Sequence, residues 1–363
     1  MKVILQDVCS PKTSNLAQKD LIGRDGDYPV YGASGYIGNI NFYHQANKCV
    51  AVVKDGAGIG RTMLLPEKST AIGTMQYLIP KENILPEYLF YAVKNMHLEK
   101  YYTGATIPHI YFKDYKNEKF NYVDLEQQLF IVNTLKLVEG IISKKTKQLE
   151  QLDNLVKSLF VEMFGDPVIS SNGKKQVPFS EFIAYIRYGT SQPPVFSTNG
   201  EFKFIRATNI KKGKIIPKDM LRIDAIEANK IKKCQLTGNE IIIVRSGVNA
   251  GDTGIITSQY IGDYAGYDII VSIDLKKGNP VYFNELINTH YMEQIIKPLT
   301  IRSAQPHLNA QQVKELPMVL ATLEEQNNFA EVIEQIDKHK SVVQKSLDET
   351  QILFDSLMQK YFG

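Results

Sequence analysis

Two long segments of the chain place apolar residues at the heptad spacing of a coiled coil. In residues 125–165 and 323–363, apolar positions recur at alternating steps of four and three. This spacing keeps one apolar stripe on a single helix face, so it predicts two long helices that pair. The seam positions that we expect at the helix–helix interface are Ile131, Leu135, Val138, Ile142, Leu149, Leu152, Phe329, Ile333, Ile336, Val343, Leu347 and Phe354.

The alternative is two separate amphipathic helices, each lying on its own domain. A seam held over five heptads is longer than a surface helix of a globular domain needs, which favours pairing. Lys145 and Lys340 interrupt the two seams and are expected to set register rather than to add stability.

The two helical segments are copies of one another at a constant offset of 198 residues. Leu125-Glu126-Gln127-Gln128 corresponds to Leu323-Glu324-Glu325-Gln326, and Phe164-Gly165 corresponds to Phe362-Gly363. Upstream, Pro108-His109 corresponds to Pro306-His307, a pair that we expect to serve the junction between domain and helix. A tandem duplication predicts approximate two-fold symmetry within one chain, which suits a ligand with two related ends.

The segments outside the helices predict α+β domains rich in short strands. In each, an apolar strand, residues 50–53 or 240–244, runs into a polar glycine loop. Further strands are predicted at residues 76–79 and 268–271, followed by helices at residues 87–95 and 283–295. The two segments share an order of elements while their residues differ, as expected if one scaffold recognises two different things.

Composition and charge narrow the class of protein. The 44% hydrophobic and 22% charged residues are typical of globular protein, and no apolar run is long enough to span a membrane. Three separated cysteines without a Cys-x-x-Cys pair fit free thiols, so we expect a cytoplasmic location. The net charge is +3 for residues 1–120, −1 for 121–165, +5 for 166–320 and −4 for 321–363. A polyanion would therefore be attracted to the globular segments.

Motifs for catalysis are missing from the sequence. Gly56-Ala57-Gly58-Ile59-Gly60 lacks the Lys-Ser/Thr ending of a phosphate loop, and no methyltransferase motif is present. The histidines form no metal-ligand spacing, and Asp263, Asp268 and Lys276 are a weak candidate for a nuclease. We expect no catalytic residue and no metal site in this chain.

The order of segments resembles the DNA-specificity subunit of type I restriction-modification enzymes, over the whole chain. The strongest signals are the two Leu-Glu-x-Gln helix starts and the Phe-Gly helix ends, within Leu155-Val156-Lys157-Ser158-Leu159-Phe160-Val161-Glu162-Met163-Phe164-Gly165-Asp166-Pro167 for the first copy. The resemblance implies two strand-rich α/β target-recognition domains, at residues 1–120 and 166–320. They are separated by spacer helices, at residues 121–165 and 321–363, that pair as an antiparallel coiled coil with pseudo-two-fold symmetry.

The same resemblance implies a non-catalytic subunit that binds a bipartite double-stranded DNA target. Its partners would be two methyltransferase subunits and restriction/translocase subunits, with no membrane association. S-adenosylmethionine, ATP and Mg would be held by those partners, and no cofactor by this chain. Forty helical residues span roughly 60 Å, enough to hold two domains at major-groove segments one helical turn or more apart.

Base readout would come from loops that present polar, basic and aromatic side chains. The candidate DNA-binding residues are Tyr31, Ser34, Tyr36, Lys54, Arg61 and Gln76 in the first domain, and Arg206, Asn209, Arg245, Asn249, Thr253 and Tyr267 in the second. Two alternatives stay open at this point. One is a specificity subunit of a type II-like restriction-methylation enzyme, and the other is a coiled-coil scaffold without a DNA role.

Overall fold

A computed structural model describes residues 1–23, 25–104, 107–169, 173–300 and 307–363. The chain forms two compact units: unit 1 comprises Met1–Thr146 with Gln344–Gly363, and unit 2 comprises Lys147–Val343. The predicted domain boundaries at residues 120, 165 and 320 remain predictions, because this division follows packing and cuts through both long helices.

Unit 1 is built from short strands, three short helices and parts of the two long ones. Its strands are β1 (Lys2–Ile4), β2 (Cys9–Thr13), β3 (Tyr28–Gly32), β4 (Gly35–Ile40), β5 (Cys49–Val53), β6 (Thr62–Leu65), β7 (Thr70–Ala71), β8 (Met75–Pro80) and β9 (Lys119–Asn121). Its helices are α1 (Leu5–Val8), α2 (Pro86–Asn95), α3 (Phe112–Tyr115) and the first part of α4 (Leu125–Phe164).

Unit 2 repeats this plan with additions. Its strands are β10 (Gln176–Pro178), β11 (Ile183–Tyr188), β12 (Phe202–Ile205), β13 (Ile210–Lys211), β14 (Lys214–Ile215), β15 (Leu221–Ile223), β16 (Glu240–Ile243), β17 (Thr253–Ile255), β18 (Tyr264–Ala265), β19 (Ile269–Ile273) and β20 (Pro317–Val319). Its helices are α5 (Ala225–Lys230), α6 (Pro280–Ile287), α7 (Lys297–Thr300), α8 (Ala310–Glu315) and the first part of α9 (Leu323–Phe362).

The sheets of the two units match one another. The four-stranded sheet β2-β8-β5-β6 of unit 1 has the same order as β11-β19-β16-β17 of unit 2. The smaller sheets β4-β3-β7 and β15-β12-β18 also match, and each contains one parallel pair. β5 and β16 are buried throughout, in agreement with the apolar residues 49–53 and 241–243 of the sequence. The prediction of a duplicated α+β fold is confirmed.

The long helices pair antiparallel within each unit, as predicted. In unit 1, Ile131 and Leu135 of α4 share a buried core with Phe354 and Phe362 of α9. In unit 2, Phe164 of α4 contacts Phe329 near the start of α9, with ring centroids 5.4 Å apart. All of the predicted seam residues are buried or half-buried; the half-buried ones are Ile142, Leu149, Leu152, Val343 and Leu347.

The two lysines that interrupt the seams find polar partners on the opposite helix. Lys145 donates from Nζ to Ser346 Oγ over 2.5 Å. Lys340, whose side chain is 12% exposed, lies 2.7 Å from an Asp153 carboxylate oxygen. Each of these contacts can form in only one register of the two helices, which agrees with the expected role of the lysines in setting the register.

A buried glutamine joins each long helix to its globular unit. Gln128 and Gln326 are both fully buried. Gln128 accepts from Leu85 N at 2.8 Å and donates to Val123 O. Gln326 accepts from Asn279 N at 2.8 Å and donates to Ala321 O. The glutamine of the Leu-Glu-x-Gln pattern therefore attaches each long helix to its globular unit by hydrogen bonds.

The helix predicted at residues 283–295 was wrong in its length. α6 ends at Ile287, and the helical path resumes only after residue 290. Asn288 causes the break by donating its side-chain amide to Asn284 O and to Thr253 Oγ1, each over 2.7 Å. Asparagine competes in this way with helical backbone hydrogen bonds.

Candidate nucleic-acid interface

Each unit carries one glycine loop directly after an inner strand of its large sheet, β5 in unit 1 and β16 in unit 2. We call residues 54–61 loop 1 and residues 245–252 loop 2. In each, two glycines have positive φ, 93° and 81° at Gly56 and Gly60, and 91° and 94° at Gly247 and Gly251. A Cβ at Gly60 would lie 2.6 Å from the backbone of Glu99, and one at Gly251 would lie 2.5 Å from Ile296 Cγ2. Glycine is required here by both conformation and space.

The repeated histidines hold the two loops. His109 Nδ1 lies 2.7 Å from Asp55 Oδ1 in loop 1, and His307 Nδ1 lies 3.1 Å from Ser246 Oγ in loop 2. The residue after each histidine adds a backbone bond, Ile110 N to Lys54 O and Leu308 N to Arg245 O, both 2.9 Å. The expectation that these histidines serve the helix junction was therefore wrong. Pro306 lies outside the described residues.

Five of the six candidates of unit 1 lie on loop 1 and the neighbouring β3–β4 hairpin. Arg61 donates from its guanidinium to Ala33 O at 2.9 Å, which ties loop 1 to the hairpin turn that carries Ser34. Tyr31 and Tyr36 flank this turn with their ring centroids 6.3 Å apart, and Tyr36 is 61% exposed. Lys54 lies 3.4 Å from Asp55 within loop 1. The result is an exposed aromatic and basic edge.

In unit 2, loop 2 places Arg245 between two tyrosines. Its guanidinium carbon lies 4.7 Å from the ring centroid of Tyr188 and 4.7 Å from that of Tyr267. Asn249 follows on the same loop and is half-buried. Arg206 instead donates to Asp219 O at 3.0 Å, after β12. Arg245 and Asn249 therefore lie on loop 2, and Tyr267 contacts Arg245. Arg206 binds a different part of the unit.

Three predicted DNA-binding residues lie inside the fold, which corrects their assignment. Gln76 donates to Lys12 O, Asn209 donates to Ile216 O and Lys218 O, and Thr253 donates to Asn284 Oδ1. They are 7%, 1% and 0% exposed. All three side chains are buried and donate hydrogen bonds within the protein, so we assign them to structure.

Sequence reasoning missed two residues of the loop 2 surface. Tyr188, at the end of β11, covers one face of Arg245, although 57 positions separate the two in the sequence. Val248 is 97% exposed at the loop tip, where an apolar side chain gave no signal of function. The paired aromatic and basic residues of Ile183–Tyr188 were the available hint for Tyr188.

Two carboxylates of unit 2 that the sequence offered as nuclease candidates are buried and accept backbone hydrogen bonds, Asp268 from loop 2 and Asp263 from β12. Asp268 accepts from Arg245 N at 3.0 Å, and burial raises the pKa of its carboxyl against the opposing effect of Arg245. Asp263 accepts from Lys203 N at 2.7 Å, and burial raises its pKa too. In the described ranges, histidine, cysteine and acidic residues form no group of three or more that could hold a metal ion. No described helix is both long and apolar enough to cross a membrane.

Comparison with known proteins places this architecture in one family. The family model for the type I restriction modification DNA specificity domain matches residues 1–153 and 181–349. The MjaVIII type I restriction enzyme specificity subunit of Methanocaldococcus jannaschii is 24% identical over 331 residues, covering 83% of this chain and 75% of that protein.

Two solved structures share the fold. The S subunit of a type I restriction-modification system from M. genitalium has a TM-score of 0.66 at 15% identity, covering 100% of this chain and 96% of its own. A chain from a study of complex assembly and conformational transition of the type I R-M system has a TM-score of 0.55 at 15% identity, covering 99% and 97%. Since the family model spans well over half of its residues, this chain belongs to the type I restriction modification DNA specificity domain family.

Proposed function

We propose that this protein is the DNA-specificity subunit of a type I restriction-modification system and recognises a bipartite DNA target. The observation that carries the proposal is the duplicated pair of glycine loops. Both loops have the same backbone anchors, yet they present different side chains, Lys54 and Arg61 in one and Arg245 and Asn249 in the other. A shared scaffold with divergent exposed residues suits two half-sites of different sequence.

Each half-site would be read by one unit. Basic and aromatic side chains at the loop surfaces supply phosphate contacts and base-edge contacts, and the latter carry the sequence information. The positive net charge of residues 1–120 and 166–320 supports DNA attraction by the globular parts. A scaffold without a DNA role is not favoured, because the family model covers the globular residues as well as the helices.

Methyl transfer and cleavage would belong to separate subunits. In this proposal, two methyltransferase subunits bring S-adenosylmethionine, and restriction/translocase subunits bring ATP and Mg. The contribution of this chain is the choice of sequence, made through its loops, and the isolated chain neither methylates nor cuts DNA.

The direct test is the pattern of methylated bases in a host that expresses the chain with its partner methyltransferase. Single-molecule sequencing should reveal one split motif that disappears when the gene of this chain is deleted. Purified chain alone should incorporate no labelled methyl groups. A methylation pattern that is unchanged by the deletion would refute the assignment.

The long helices are proposed as the spacer between half-sites. Inserting one heptad after Leu149 and one after Leu347 extends both helices by roughly 10 Å, so the unspecified gap in the methylated motif should lengthen by about three base pairs. Seven residues preserve the seam, whereas a four-residue insertion at the same positions rotates it and serves as the control. An unchanged gap in an active heptad variant would show that the helices do not set the spacing.

A further inference from the structure

Arg245 is fixed in orientation by both its backbone and its side chain. Its amide donates to Asp268 at 3.0 Å, and its carbonyl accepts from Leu308 N at 2.9 Å. The two tyrosine rings at 4.7 Å confine the guanidinium, and they are themselves 40% and 47% exposed. Tyr188 is held in turn, since its hydroxyl accepts from Ala310 N at 2.9 Å. The two rings therefore limit the positions that the guanidinium can take.

Among the residues that the structure describes, the guanidinium of Arg245 nevertheless has no oxygen acceptor. The other arginines in the described ranges, Arg61, Arg187, Arg206 and Arg222, each donate to a carbonyl or a carboxylate. For Arg245, a terminal nitrogen lies 3.5 Å from His307 Nε2, and Nε is buried with no partner. A charged side chain that is held in place and has unused N–H donors can donate them to acceptors of a bound molecule.

The equivalent position of unit 1 has different chemistry on the same backbone. Lys54 accepts from Ile110 N as Arg245 accepts from Leu308 N, so the two residues correspond. Lys54 lies 3.4 Å from Asp55, whereas the residue after Arg245 is the neutral Ser246. The strand register puts Thr13 opposite Gln76 where Tyr188 lies opposite Ile269, so unit 1 has no ring at that position.

This difference decides between two kinds of DNA contact. A phosphate contact is independent of sequence, so two copies of one scaffold have no reason to change it. A contact that reads a base should differ when the half-sites differ. The fork of an arginine fits two adjacent acceptors, which guanine presents at O6 and N7 in the major groove. Adenine offers one acceptor and one donor there, and thymine offers one acceptor and a methyl group.

We propose that Arg245 recognises a guanine in the half-site bound by unit 2, with Tyr188 and Tyr267 as the residues that position it. This inference rests on the proposed DNA recognition and adds the base and the residue. Unit 1 has no equivalent contact, because Lys54 is a point charge paired within its own loop.

The test measures binding of the complex of this chain with its methyltransferase subunits to duplexes carrying the methylated motif. Each base pair of both half-sites is changed singly, and guanines are also replaced by 7-deazaguanine, which lacks N7. Arg245→Lys keeps the charge and removes the fork. It should lower discrimination at one guanine about 10- to 100-fold, with the salt dependence unchanged. The wild-type complex should lose affinity for 7-deazaguanine at that same position.

Two variants of Tyr267 test whether its ring positions Arg245, and a variant of Arg61 serves as the control. Tyr267→Phe keeps the stacked ring and should retain discrimination, whereas Tyr267→Leu should reduce it at the same base pair. Arg61→Lys, the same type of change at the arginine of loop 1, should leave recognition of the unit 2 half-site unchanged.

Three results overturn the inference. In the first, Arg245→Lys leaves discrimination between base pairs unchanged. In the second, it lowers discrimination equally in both half-sites. Alternatively, Arg245→Ala could weaken binding to all sequences equally and reduce the salt slope by about one, which identifies a phosphate contact. A wild-type complex without any sequence preference would refute the proposed function itself, and the inference with it.

Discussion

Loop 1 and loop 2 share their backbone hydrogen bonds, but the basic residue at the first position of each loop has different partners. In loop 1, Lys54 pairs with Asp55, which in turn contacts His109. In loop 2, Arg245 is stacked between rings, and His307 contacts the uncharged Ser246. The anchors have been kept while the side chains that face outward have changed. After duplication, the backbone hydrogen bonds of the two loops have stayed the same, while the side chains beside them, including the partner of each histidine, have diverged.

The largest expected effect tests whether the shared positions carry equal stability in both units. Tyr88 and Tyr282 are fully buried, and their hydroxyls donate over 2.8 Å to Asn121 O and Val319 O. Tyr88→Ala and Tyr282→Ala should each lower the free energy of unfolding of their own unit by about 3–5 kcal/mol. Hydrogen–deuterium exchange resolved by peptide, at increasing urea, measures each unit separately.

Phenylalanine at the same two positions is the control for these changes. It keeps the ring and loses one hydrogen bond, so each Tyr→Phe variant should cost about 1 kcal/mol. A severe loss in one unit with little change in the other would break the equivalence of the two scaffolds.

A smaller effect is expected at the buried glutamines. Gln128→Leu leaves Leu85 N–H and Val123 C=O without their partner, and Gln326→Leu does the same to Asn279 N–H and Ala321 C=O. Each unpaired buried group is costly, so each variant should lose about 1–3 kcal/mol of stability. Gln127→Leu on the exposed face should change stability by less than about 0.5 kcal/mol. If Gln127→Leu and Gln128→Leu lowered the free energy of unfolding equally, Gln128 would not be the residue that attaches the helix to the unit.

The smallest expected effect is a difference in pH response. In unit 1, burial opposes but does not prevent the lowering of the pKa of Glu87 by its backbone hydrogen bond, Lys136 and Lys48. In unit 2, burial raises the pKa of Asp252, Asp263, Asp268 and Glu285. Hydrogen bonds from Lys230 and Lys174 lower the pKa of Glu227 and Glu325, and burial opposes but does not prevent the lowering of the pKa of Asp166 by backbone amides and His290.

The sign of this response follows from linkage. A lowered carboxyl pKa adds stability above the ordinary pKa, and that stability is lost as the pH falls through the folded-state value. A raised pKa costs stability at neutral pH, and the cost disappears as the pH falls through it. Unit 2 should therefore gain stability relative to unit 1 as the pH falls from neutral through the raised pKa values of its buried carboxyls. Asp268→Asn should shrink this difference. Parallel pH profiles of the two units in exchange experiments would contradict the expectation.

Periodicity made the long helices predictable, and local spacing made the loops predictable. A heptad pattern over forty residues is compatible with few structures other than a long paired helix. An apolar strand followed by glycines shows where the chain must turn. The three buried polar candidates show where this reasoning ends. Thr253 is buried because it meets Asn284, and Asn209 because it meets the carbonyls of Ile216 and Lys218. A polar residue looks the same in sequence whether its partner is water or a distant amide.

Tyr188 shows the same limit from the other side. Its role depends on β11 pairing with β19 in a register that brings residue 188 to the edge beside loop 2. Nothing local to Ile183–Tyr188 specifies that neighbour. Contacts between strands far apart in sequence are set by the whole sheet, so the stacking of Arg245 emerged only with the structure.

The order of synthesis treats the two units unequally. Unit 2 is one continuous stretch, but unit 1 needs residues 344–363 to cover the face of Ile131, Leu135 and Val138. At roughly 5–20 residues per second, the ribosome makes the intervening residues in about 10 to 40 s. During that interval the nascent first unit exposes an apolar helix face, a type of surface that favours aggregation until it is covered. We expect the earlier-made unit to be the later one to finish folding.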